Sequence, residues 1–152
     1  MTNTPSAKHL IDYVAAGYEL IPLHRWDAKT GKGTLLGKAP RDKGWPEKAY
    51  EHDALVTHVR KGGNFGVRLR PADLILDVDP RNFPEGEDML ARLQADFDLD
   101  LDAYPHVVTG SGGHHFYMRK PSDLEILETI AGYPGIEFKT MGRQVVAVES
   151  PR

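Results

Sequence analysis

Cysteine is missing from all 152 residues, and that excludes disulfides, thiolate zinc sites and cysteine nucleophiles. Long hydrophobic runs are missing too. No stretch approaches the ~20 apolar residues that cross a bilayer, and the N-terminus lacks the apolar core of a secretory signal. Together these absences lead us to expect a cytoplasmic protein. Charge of one sign is scarce: 19 Lys and Arg against 22 Asp and Glu leave a net −3, which taken by itself argues against a nucleic-acid binder. There is no internal repeat and no low-complexity stretch. What is present is ordinary for a globular chain, 40% hydrophobic and 27% charged, and the length suits one domain with a real core.

The charge is unevenly spread. Residues 25–48 carry seven basic side chains against three acidic ones, whereas residues 85–102 carry seven acidic against Arg92 alone. One region attracts phosphates and the other repels them, unless both are simply solvated faces.

Helical spacing of Leu10, Val14 and Ala15 predicts a helix over about 6–16, stopped by Gly17. Leu20-Ile21-Pro22-Leu23 reads as an edge strand because proline cannot donate to a ladder. A long Lys-, Gly- and Pro-rich loop follows over 26–48, with Trp26 and Trp45 near its ends. A second helix is expected from Asp53 to about Lys61, and a third over about 86–97 with Met89, Leu90 and Leu93 inward. Strands are expected at 64–70 and 74–79, joined as a hairpin by Pro71-Ala72-Asp73. Further strands are expected at 107–109, 114–118 and 135–139, with 144–148 as the partner of the last and a helix at 122–130. This mixture predicts an α+β fold with helices packed on one face of the sheet.

Leu74-Ile75-Leu76-Asp77-Val78-Asp79-Pro80 concentrates the chemistry. Alternation in a strand puts Asp77 and Asp79 on one face, where two like charges repel unless a cation lies between them. Oxygen-only ligation suits Mg²⁺ or Mn²⁺. The rival reading is that Asp79-Pro80 merely ends the strand and caps a turn. Two later strands repeat the theme, with His115 on one and Glu137 and Lys139 on the other. Gathered in one sheet, these residues suit metal-assisted chemistry on a phosphate, and the Gly110-Ser111-Gly112-Gly113 turn lets backbone approach a nucleotide. His114 points the opposite way from His115 and reads as structural or solvent-facing. Thr30-Gly31-Lys32-Gly33-Thr34 is not a Walker loop, since Gly follows the Lys.

In this order the motifs resemble the N-terminal domain of bifunctional primase–polymerases (prim-pol), of the archaeo-eukaryotic primase superfamily. The likeness runs from Ala15-Ala16-Gly17-Tyr18 through Gly37-Lys38-Ala39-Pro40, Gly63-Asn64-Phe65-Gly66 and Leu76-Asp77-Val78-Asp79. It continues in Thr109-Gly110-Ser111-Gly112-Gly113-His114-His115 and Gly135-Ile136-Glu137-Phe138-Lys139. The resemblance implies an RRM-like sheet with flanking helices joined to a second small α/β unit. It implies a two-metal Mg²⁺ or Mn²⁺ site on Asp77, Asp79 and Glu137, and NTP or dNTP contact by His115, Lys139, Gly113 and Ser111. Some members have Ser two residues before the His; here Gly113 stands there, so a hydroxyl contact is lost or shifts to Ser111. Lys38 and Arg41 are assigned to single-stranded template or primer. The implied reaction is template-directed nucleotidyl transfer to a 3′-hydroxyl, as a DNA primase and polymerase. Such domains often continue into a helicase, so residues 1–152 are expected to be the catalytic core of a longer primase–helicase-type protein. Two rivals remain at this stage. A metal-dependent nuclease would shorten DNA without nucleotides, and an RRM-like single-strand-binding module would need no metal.

Overall fold

The computed structural model describes residues 6–25, 27–34, 36, 38–109 and 112–147. In chain order the elements are α1 (Ala7–Ala15), β1 (Glu19–Leu23), α2 (His52–Arg60), β2 (Asn64–Arg68), β3 (Asp73–Val78), α3 (Met89–Phe97), β4 (His106–Val108), β5 (His114–Arg119), β6 (Ile136–Lys139) and β7 (Gln144–Val146). The α+β expectation holds, and both sheets are antiparallel. Among the described residues no helix is long and apolar enough to cross a membrane.

Two compact units divide the chain. The first holds residues up to Leu69 and those from Gly142 on; the second is Arg70–Met141. In the first, the sheet order is β1-β2-β7, so β1 is an edge, as Pro22 requires. Helix α1 starts where the Ser6 hydroxyl accepts from the His9 amide, and it buries only Leu10, leaving Val14 exposed. Ile21, Leu23 and Val146 pack with Trp45 and Tyr50.

The second unit is a four-stranded sheet in the order β4-β5-β3-β6. Alternation along β3 sends Leu76 and Val78 to one face, where they meet Phe116, Ile136 and Tyr133 together with Met89 and Leu93 of α3. Helix α3 begins three residues later than its acid-rich approach suggests, because the Asp88 carboxylate caps it by accepting from the Ala91 amide at 3.1 Å. The opposite face of β3 carries Ile75 and Asp77, and there the chemistry gathers.

Three expectations are overturned. Strands β2 and β3 are not a hairpin: each is flanked on both sides, β2 by β1 and β7, β3 by β5 and β6, so neither has an edge left for the other. The segment 144–148 does not pair with β6; β7 joins β2, and β6 lies on β3. Finally, 122–130 is not helical. Thr129 bridges Glu137 and Glu128 accepts from the Phe138 amide at 2.7 Å, so the segment's end is drawn out along β6. Leu127, at 83% exposure, finds no apolar surface that would reward a helix.

Candidate active site

Strand β3 places Asp77 between two neighbours, His115 on β5 and Glu137 on β6, each its direct cross-strand partner. Direct partners share a face, so the three form a row across the sheet. Lys139 follows Glu137 by two residues, on the same face. The Asp77 carboxylate accepts from both sides: Oδ1 lies 3.2 Å from His115 Nε2, and Oδ2 lies 3.0 Å from Lys139 Nζ. Burial works to raise the Asp77 carboxyl, but the hydrogen bond and charge of His115, joined by Lys139, outweigh it and hold it at about 2. Asp77 is therefore ionised at neutral pH.

His115 is buried, with Nε2 directed to Asp77. Its Nδ1 has no hydrogen-bond partner among the described residues although no solvent reaches it. An orphaned buried ring nitrogen is costly, and a ligand group placed against it would satisfy it.

Asp79 lies just beyond β3 and caps the 3-10 turn Pro80–Asn82, so the turn-capping reading is correct as far as it goes. Its Oδ1 accepts from Arg81 Nε at 3.0 Å and its Oδ2 from Arg81 Nη2 at 2.9 Å. The Arg81 hydrogen bond holds the Asp79 carboxyl below the ordinary range, opposed by burial and by the charge of Asp77. Arg81 went unnoticed in the sequence, although a cation two residues past an aspartate at a turn is a readable signal. Gly135, at φ 90°, accepts from the Asp79 amide, and a Cβ there would stand 2.5 Å from Phe83.

Gly113 has a packing role. A Cβ would lie 2.2 Å from the Val78 carbonyl oxygen, so glycine lets β5 start flush against β3, and the Thr109 hydroxyl accepts from its amide at 2.9 Å. Ser111 lies outside the described residues. His114 stacks on Phe116 with centroids 5.5 Å apart, on the face away from His115, as expected. Lys38 and Arg41 belong to the first unit, where the Lys38 carbonyl accepts from Gln144 Nε2 and Arg41 Nη1 faces His58 Nδ1 at 3.3 Å.

The family model described as bifunctional DNA primase/polymerase, N-terminal (Prim-Pol), matches residues 10–152. The chain belongs to this family. Prim-Pol membership gives it a DNA primase/polymerase-type function in general, with DNA and nucleotides as substrates. No curated protein matches the chain.

For a Prim-Pol domain the implied cofactor is a hard divalent cation, and the donor chemistry here fits one. Asp77 and Glu137 stand in register on adjacent strands, Asp79 lies just past the end of the first of them, and all three offer carboxylate oxygens. In this structure Lys139 and Arg81 hold the two aspartates. Among the described residues, no three His, Asp or Glu side chains are grouped closely enough to hold a metal ion.

Proposed function

We propose that this domain carries out template-directed transfer of a nucleotidyl group from an NTP or dNTP to a 3′-hydroxyl of DNA, releasing pyrophosphate. The observation that carries the reading is the row on one sheet face, with ionised Asp77 at its centre and His115 beside it presenting a buried, unpartnered Nδ1. In this reading Asp77, Asp79 and Glu137 would hold two Mg²⁺ or Mn²⁺ ions. When bound, such ions stabilise the attacking and leaving oxygens of an in-line displacement.

The chain's own side chains do the rest. Asp77 fixes the His115 ring by accepting from Nε2, so that a proton on Nδ1 is donated to a phosphate oxygen. Lys139 is a compact ammonium next to the same carboxylate, and it turns one donor to the triphosphate while Asp77 is engaged elsewhere. Gly113 offers backbone without a side chain to the nucleotide, and Ser111 supplies a hydroxyl to it. Lys38 and Arg41 bind template or primer phosphates. A helicase partner in a longer protein completes the proposal.

The test is extension of a labelled primer on a template with Mg²⁺ or Mn²⁺ and NTPs or dNTPs. Wild type is expected to lengthen the primer, and Asp77→Ala combined with Asp79→Ala to reduce this by about 10³-fold or more, with a cooperative thermal melt showing that the variant still folds. Shortening of the primer without nucleotides, or full activity in the double variant, would refute the assignment.

A further inference from the structure

The first unit contains a cavity of about 450 Å³ that the polymerase chemistry does not use, a size within the range of small-ligand sites. Three permanent cations line it: Arg25, Arg41 and Lys61. None of its lining residues is a carboxylate; Asp27 holds Arg25 through Nε at 2.6 Å.

The floor is built. His58 Nε2 lies 2.8 Å from the Leu23 carbonyl and 2.7 Å from the Asn64 carbonyl, two acceptors that only an N–H can face. Nε2 therefore carries the proton, and in the neutral ring Nδ1 is an acceptor. Arg41 Nη1 donates to it at 3.3 Å. One imidazole thus ties α2 to β1 and β2 and fixes a guanidinium at the cavity. The arrangement demands Gly63, where a Cβ would stand 2.2 Å from the His58 ring. Arg41 is also fixed through its backbone: Pro40 bridges Leu23, and the Arg41 amide donates to the Pro22 carbonyl at 3.1 Å. A guanidinium so placed offers several N–H groups in a planar fork, the geometry that takes a phosphate in two contacts.

We infer that this cavity is a phosphate site, gripping a backbone phosphodiester of a DNA strand between Arg41, Arg25 and Lys61, with His58 as a positioning residue. The inference rests on the reading that DNA is a substrate. It extends that reading from a loop carrying Lys38 and Arg41 to a pocket with a defined floor. A strand phosphate and the triphosphate of a free nucleotide share this chemistry, and the experiment separates them.

Binding of a labelled single-stranded oligonucleotide is measured by fluorescence anisotropy across a salt series, without divalent metal, for the 152-residue chain. Arg41→Ala is expected to weaken binding about tenfold and to make the log–log salt slope shallower by about 0.7. Lys61→Ala should do the same, and Arg41→Lys should restore the slope while recovering only part of the affinity. A thermal melt checks that each variant folds. Affinity and slope unchanged in both Arg41→Ala and Lys61→Ala would overturn the inference. Displacement of the oligonucleotide by equimolar sodium tripolyphosphate would overturn the strand assignment in favour of a free triphosphate. Leu127→Ala, at an exposed side chain outside both sites, should bind the oligonucleotide as wild type does. Failure of the polymerase reading therefore shows in primer extension, and failure of this one shows in the salt slope.

Discussion

At the scale of single residues, the two adjacent histidines show how a strand separates chemistry from packing. His115 faces Asp77, while His114 faces the other way and packs on Phe116 and His106. Burial, then the neighbouring charge of His106, pushes the His114 ring below the ordinary value of 6.5. The sign follows directly. The fold prefers neutral His114, so its contribution is fully present above that ordinary value and is lost as pH falls through the depressed one. Phenylalanine keeps the stacking and cannot titrate. His114→Phe is therefore expected to gain on wild type in thermal melts as pH drops from about 8 to about 5; a constant gap would show that the ring does not titrate with folding. Gly113 teaches a different lesson at this scale. Its place in a glycine-rich turn suggested nucleotide contact, and the close approach of the Val78 carbonyl gives a second, packing reason for a residue without a Cβ.

At the scale of elements, β3 organises the second unit because both of its edges are paired and both of its faces are used. One face builds the core through Leu76 and Val78; the other holds Asp77 between His115 and Glu137. Leu76 is 2% exposed, so Leu76→Ala removes buried methyl groups and leaves a cavity beneath the row of Asp77, His115 and Glu137. The expected cost is about 2–5 kcal/mol, read from the denaturant midpoint. Leu127→Ala, in the segment where a helix was expected, should change stability by no more than about 0.5 kcal/mol, because that side chain is 83% exposed. A large loss at Leu127 would mean that the segment packs as the sequence pattern suggested.

At the scale of the whole molecule, the chain leaves the first unit at Leu69, builds the second, and comes back at Gly142. The return supplies β7, whose Val145 and Val146 are buried and whose register with β2 runs from Gly66↔Val146 to Arg68↔Gln144. Truncation after Met141 is therefore expected to strip hydrogen-exchange protection from β1 and β2 by at least about 100-fold; unchanged protection there would show that β7 is dispensable. By itself the sequence determined the α+β class and the alternation that puts Asp77, His115, Glu137 and Lys139 on the polar faces of their strands; that β5 and β6 flank β3 and bring those faces together was decided by pairing. The alternation follows from the two-residue period of a strand, which is local. Only the tertiary structure decided which strands pair. The hairpin expected between β2 and β3 and the partner expected for β6 both failed, because pairing depends on which edges remain open after distant segments have docked. For the same reason the Arg41–His58 contact and the cavity around it, assembled from residues far apart in the chain, left no periodic trace to read.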